Sequence, residues 1–259
     1  MEPRAVSAGH GWAWIVQGYG FFRRSPAAWL GLLLLLFVSM KVLLRIPLLG
    51  IVVALLMPHL IVGLMEGCRA LERGHRLELG HLLGGFRRNA AQLVTIGGVS
   101  LVGNFAVMMI VAALGGEAIG ELAKTMSQGT PVTPQAAQEM QAATRTVARA
   151  LLVGTAVSLP LLMALWYAPL LVYFNDLTAV QALKSSFLAC LKNMAAMLVY
   201  GLAIMAGMFI AMPLSIAIGQ YDFALVLLAP VVVPSIYASY KDIFLAGTAP
   251  QAGTDSVAG

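Results

Sequence analysis

Apolar and polar positions alternate along this chain in blocks rather than residue by residue. Six long apolar runs, at about 27–44, 47–65, 91–114, 150–174, 194–218 and 223–240, are separated by shorter polar segments. Each run is long enough to cross about 30 Å of hydrocarbon as a helix. Helices satisfy their own backbone groups, so the pattern predicts an all-α integral membrane protein with six transmembrane helices. Ile46-Pro47 breaks the first run from the second, which makes an antiparallel hairpin. The run at 150–174 contains Pro160 and Pro169, which should kink it.

Three polar segments carry a helical apolar period of their own. Trp12, Ile15, Tyr19 and Phe22 fall three and four residues apart. Such a stripe suits a helix in the headgroup region, or a helix packed ahead of the first span. Glu66 to His81 is polar and basic with Leu71, Leu77 and Leu79 interleaved and Leu82, Leu83 and Phe86 following, which suggests a second interfacial helix with a break near Gly74. Asn175 to Lys192 places Leu177, Val180, Leu183, Phe187 and Leu191 at helical spacing. Residues 115–149 are the one sizeable stretch outside the apolar runs. Thr133 can cap a helix with Pro134 at its first position, and no breaker follows until Pro160. A short helical loop that runs into the fourth span is therefore expected. Residues 1–9 and 246–259 are small and polar and are expected to be disordered, leaving 10–245 as one membrane domain.

Composition strengthens this reading. The chain has 259 residues, is 60% hydrophobic and 10% charged, and has a mean hydropathy of +0.86. A soluble domain carries about 25% charged residues. The net charge of +5 comes with no base-reading motif, so nucleic acid is not expected as a partner. Lys and Arg report orientation instead. With the N-terminus in the cytoplasm, eleven of the sixteen cations face inward, among them Arg23, Arg24, Arg69, Arg73, Arg76, Arg87 and Arg88. Lys41, Arg45, Lys124, Arg145 and Arg149 face outward. The positive-inside rule then places both termini in the cytoplasm and residues 115–149 on the opposite side, which in a bacterial inner membrane is the periplasm. Arg23-Arg24 before an apolar run resembles the front of an export signal, but no small-residue cleavage site follows it, which implies an uncleaved first span.

A repeat emerges once the basic positions are aligned. Phe22-Arg23-Arg24-Ser25-Pro26, Phe86-Arg87-Arg88-Asn89-Ala90 and Cys190-Leu191-Lys192-Asn193-Met194 each stand at the start of a span. The spans that follow end alike. Pro58 precedes Glu66, Pro169 precedes Asp176 and Pro234 precedes Asp242 by seven or eight positions. The chain therefore reads as three units, each an interfacial helix followed by a helical hairpin. Ala203, Gly207, Ala211 and Ser215 recur every fourth residue in the fifth span, a small-residue face that lets backbones approach in lipid. It can serve packing within the chain or a homo-oligomer.

Candidate chemistry is sparse. The spans carry no Asp or Glu in their interiors, whereas coupled transporters place a carboxylate there. His59, beside Pro58, is a titratable group inside a span. It can bond the carbonyl that proline frees, or serve as a ligand or proton contact. Lys41 and Arg45 share a face and can snorkel to the far interface or line a polar crevice. His75, Glu78 and His81 spread around a helix by roughly 120° and do not match a known zinc-protease spacing. Cys68 and Cys190 have no metal spacing and are expected to be reduced, buried small hydrophobes. No nucleophile elbow, phosphate loop or dinucleotide fingerprint occurs, so no catalytic, metal or cofactor residue is assigned.

Gly11-Trp12-Ala13-Trp14-Ile15, the motif at Phe22, Gly63 to Arg69, Ser186 to Asn193, and Ser235 to Phe244 together resemble an uncharacterised family of proteobacterial multi-pass inner-membrane proteins. More distantly the chain is similar to the membrane region attached to some glycerophosphodiester phosphodiesterases, whose catalytic domain has no counterpart here. The resemblance implies a location and a fold but no catalytic residue. The leading expectation is a non-enzymatic protein that scaffolds anionic lipids or a membrane-protein partner through Arg23, Arg24, Arg69, Arg73, Arg76, Arg87 and Arg88. A channel or transporter for a small or amphipathic solute is the second expectation, with Lys41, Arg45 and His59 as its polar site. A membrane-embedded lipid enzyme is the third.

Overall fold

The computed structural model describes residues 2–128, 133–220 and 222–246. These residues form helices, with no strand among them. In chain order the helices are α1 (His10–Arg24), α2 (Pro26–Leu43), α3 (Pro47–Glu72), a 3₁₀ segment (Leu79–Phe86), α4 (Ala90–Gln128), α5 (Pro134–Trp166), α6 (Ala168–Asn175), α7 (Ala179–Lys192), α8 (Met194–Ile218) and α9 (Phe223–Tyr240). A short π-turn, Lys241–Leu245, follows α9. Six stretches are long and apolar enough to cross a membrane: Pro26–Leu43, Leu48–Glu72, Ala90–Thr125, Pro134–Asn175, Met194–Ile218 and Phe223–Leu245. The six helices of membrane length that the apolar runs predict are therefore present among the described residues.

The helix ends follow local chemistry. Pro26 starts α2, where its missing N–H leaves no intrahelical bond unmade. Gly74, at φ +80°, follows the end of α3, in the backbone region that glycine enters without strain. Thr133 caps α5 by accepting from Ala136 N–H at 3.2 Å. Thr178 and Gln181 form a reciprocal capping box on α7. The chain breaks at Tyr167, and α6 restarts with Pro169 in its first turn, where the missing N–H leaves no intrahelical bond unmade.

Several boundaries differ from expectation. α3 continues through Glu66 to Glu72, where the sequence suggested the start of an interfacial segment. Gly67 allows this, since a Cβ there would lie 2.5 Å from Leu77 Cδ1, so the returning chain packs tightly on the extended helix. The second interfacial segment is consequently short and 3₁₀ rather than a long helix. α4 runs through Gly115 and Gly116 without interruption. The expectation for residues 1–9 also differs, because residues 3–6 are hydrogen-bonded to the helical body. The expected tail from 247 and the turn at 129–132 lie outside the described residues.

The chain divides into two compact units, residues 1–97 with 164–259, and residues 98–163. The second unit is an antiparallel helix pair. Gly103 faces Leu161, Val111 faces Gly154, and Gly115 faces Ala150, so a Cβ at each glycine would come within 2.4–2.8 Å of the opposite side chain. At 39 residues, α4 is about 58 Å long, well beyond a bilayer core.

In the first unit α9 is central and packs against α1, α2, α3 and α8. In the same unit α3 packs on the 3₁₀ segment, α6 on α7, and α9 on α1. Glycine sets the distance in two of them. A Cβ on Gly18 of α1 would lie 2.3 Å from Val231 O of α9, and one on Gly85 would lie 2.1 Å from His59 O of α3. α1 buries Gly11, Trp14, Gly18 and Phe21 and leaves Trp12 and Tyr19 about half exposed. The aromatic stripe seen in the sequence is thus the outward face, and a glycine–aromatic face lies beneath it. Gly207 of α8 faces Leu228 of α9, while Ala211 and Ser215 are buried. Ala203 is half-buried in the same stripe.

Candidate functional site at the basic end of the first unit

Glu66, Arg69 and Glu72 fall three residues apart near the end of α3, and so on neighbouring turns. They meet aromatic side chains from the ends of α6 and α9. The Arg69 guanidinium lies 5.3 Å above the Phe174 ring and 3.9 Å from Glu66 Oε2. Tyr237 donates its hydroxyl to Glu72 Oε2 at 3.1 Å, and Lys241 pairs with the same carboxylate. Tyr240 donates to Asn175 Oδ1 at 2.5 Å. The rings of Phe174, Tyr237 and Tyr240 lie 5.7–6.5 Å apart, and Phe21 meets Tyr237 edge-on at 5.8 Å. Tyr237 and Tyr240 are buried. The ends of three spans are therefore joined by aromatic packing with charged groups at its rim. No local pattern in the sequence marks this cluster, because its members are up to 220 residues apart.

The second basic motif folds as a corner. Phe86 stacks on His59, with ring centroids 4.7 Å apart and planes at 20°. Asn89 takes φ +53°, left-handed geometry that asparagine tolerates better than most residues. Its amide points to the neighbouring hairpin end rather than to the first turn of α4. It donates to Val172 O at 2.9 Å and to Asp176 Oδ1 at 2.8 Å. Arg88 completes the corner with an Nε bond of 3.0 Å and an ion pair to Asp176. The Asn89 amide, and then Arg88, hold the Asp176 carboxyl below the usual carboxylate range. Asp176 itself is left-handed, at φ +54°, where it ends α6.

The arginines singled out from sequence fall into two groups. Arg24 reaches Leu71 O at 3.4 Å and packs over Phe21, Arg69 sits on Phe174, and Arg88 holds Asp176. Arg23 lies over the exposed ring of Tyr19. Arg73, Arg76 and Arg87 are exposed, and among the described residues no carboxylate pairs with them. They flank the 3₁₀ segment, on which Leu79 is 58% exposed and Leu83 59% exposed.

Lys41 pairs with Asp222 and lies 5.2 Å from the Phe37 ring centroid. With Arg45 these residues line an open hollow of about 370 Å³. His59 is not part of its lining. It is 1% exposed, packed under Phe86 near the Leu56 and Ala90 carbonyls. The sequence grouped His59, Lys41 and Arg45 as one polar site; the hollow joins Lys41 and Arg45 alone. His81 Nδ1 accepts from the Glu78 backbone N–H at 3.0 Å and closes the first turn of the 3₁₀ segment. No group of three or more His, Cys, Asp or Glu side chains among the described residues is placed to hold a metal ion. Cys68 and Cys190 are buried, and burial pushes the Cys190 thiol up to about 12.

Comparison with known proteins adds one relative. A protein of Burkholderia thailandensis named "Probable inner membrane protein" is 30% identical over 260 residues, covering 94% of each chain. No family model and no solved structure matches this chain. The distant likeness to the membrane region of glycerophosphodiester phosphodiesterases finds no support in these comparisons. With nearly full coverage of both chains, and six helices of membrane length in this one, the chain belongs to the family of that inner-membrane protein.

Proposed function

We propose that this chain is a non-enzymatic inner-membrane protein that gathers anionic lipid headgroups on its cytoplasmic side. It has both termini in the cytoplasm, and it is built as three units of interfacial segment and helical hairpin. The cation asymmetry supports the orientation, and the relative's name supports the compartment. The recurring contacts of α3 with the 3₁₀ segment, α6 with α7 and α9 with α1 support the three-unit reading. In this orientation the α4–α5 pair reaches into the periplasm.

The observation that carries the lipid reading is the set of Arg73, Arg76 and Arg87 around exposed Leu79 and Leu83. Apolar side chains that enter the acyl boundary hold the cations at the depth of lipid phosphates. Each such cation contributes about 1 kcal/mol at an anionic surface. Mass spectrometry of lipid co-purified with the protein tests the proposal. An R73A/R76A/R87A variant should lose retained phosphatidylglycerol or cardiolipin. R88A, whose arginine is already paired, should keep it. Equal lipid in wild type and the triple variant would overturn the reading.

A further inference from the structure

The third basic motif is built like the second but engages a different group. In the second, Asn89 bonds Asp176 directly. In the third, the counterparts Asn193 and Asp242 are bridged by the chain's own residues 3–6, which lie outside any helix. Asn193 is 1% exposed. Its Oδ1 accepts from Val6 N–H at 2.7 Å, and its Nδ2 donates to Arg4 O at 2.9 Å. Lys192 Nζ donates to Pro3 O at 2.9 Å, and Arg4 N–H donates to Ile243 O at 2.9 Å. Four of the bonds therefore go to the main chain of residues 3–6. One side chain is also read, because the Arg4 guanidinium pairs with Asp242. The same carboxylate accepts from Trp14 Nε1 at 2.9 Å and meets His10 Nδ1 at 2.6 Å, which fixes its position against α1.

Two-point recognition of backbone N–H and C=O by one buried amide is how an extended peptide is held in a slot. We infer that Lys192, Asn193, Asp242 and the Ile243 carbonyl form a binding site for an extended peptide carrying an arginine, occupied in cis by residues 3–6. Helix α1 begins only at His10, so the strap is a ligand tethered by a few residues. Tethering raises its effective concentration to about the millimolar range and keeps the slot filled. A peptide of the same chemistry gains the slot when the strap is released.

The test uses detergent-solubilised full-length chain and a chain lacking residues 2–8, with a fluorescent peptide of sequence Met-Glu-Pro-Arg-Ala-Val-Ser-Ala-Gly. The shortened chain should bind the peptide saturably, and the intact chain at least tenfold more weakly. Binding should fall at least tenfold with N193A in the shortened chain, or with Ala in place of the peptide's arginine. A folded shortened chain that binds none, or that binds both peptides equally, overturns the inference. Limited trypsin digestion of the intact chain is independent of the truncation. Cleavage after Arg4, read by mass spectrometry, should be slow in wild type and at least fivefold faster in N193A; equal rates overturn the inference too.

Discussion

The Asn89 amide nitrogen lies 2.8 Å from Asp176 Oδ1, and 87 positions of sequence separate the two residues. Asn89 precedes the third apolar run and Asp176 follows the fourth. Their contact joins the two ends of one hairpin, with both residues in left-handed geometry. N89A loses the bond to Val172 O, about 1 kcal/mol, together with the bond to Asp176, and places alanine at positive φ, about 1 kcal/mol more. N89G loses the same bonds without the backbone strain. Thermal unfolding in detergent should rank wild type above N89G, and N89G above N89A.

The same corner has a pH signature. The Asp176 carboxyl is held below its usual range by Asn89 and then Arg88. A depressed carboxylate contributes stability that is fully present above its unfolded pKa, near 3.9, and is lost as pH falls through the folded value. The Tm difference between wild type and D176N should therefore be constant from pH 8 to pH 5 and should shrink below about pH 4. A difference that grows on acidification would contradict this linkage.

Glycine substitutions separate packing from propensity. A Cβ on Gly18 or Gly85 would lie 2.3 or 2.1 Å from a carbonyl of the facing helix, so α1 would have to move off α9, or the 3₁₀ segment off α3. G18A and G85A should each destabilise by about 2 kcal/mol or more. Gly20 lies on the same helix as Gly18 with nothing within 4 Å, and G20A should be neutral or slightly stabilising. Parallel melts of the three variants check the contrast.

Cys190 offers a probe of folding. Burial pushes its thiol up to about 12, so it is protonated and shielded at neutral pH. Iodoacetamide should modify it at least tenfold more slowly in the folded protein than in denaturant, with mass spectrometry reading the adduct. Fast modification of the folded protein would show that α7 does not bury the side chain.

The spans were legible because lipid imposes a simple rule: an unbroken apolar run bounded by proline, glycine or charge. α2, α8 and α9 end within a residue of the expected positions for that reason. Glu66 to Glu72 read as polar because hydropathy marks the edge of lipid, and a helix need not stop there. The outward stripe of Trp12 and Tyr19 could be read from spacing. The buried Gly11–Gly18 face could not, since glycine carries no apolar signal and its role depends on α8 and α9. The arginines were visible, but not their division. Only the approach of Phe174 to Arg69, or of Asp176 to Arg88, separates a structural cation from an available one. The strap across Asn193 lies about 190 residues from its site, beyond any local pattern.

Ligand-induced stabilisation tests the central claim most directly. A lipid that binds the folded state raises its stability according to lipid concentration relative to Kd. Tm is measured in neutral detergent with added phosphatidylglycerol, and with phosphatidylcholine as the uncharged control. Wild type and R88A should both rise with phosphatidylglycerol and not with phosphatidylcholine, while R73A/R76A/R87A should show little rise with either. An equal phosphatidylglycerol shift in wild type and the triple variant would contradict the account.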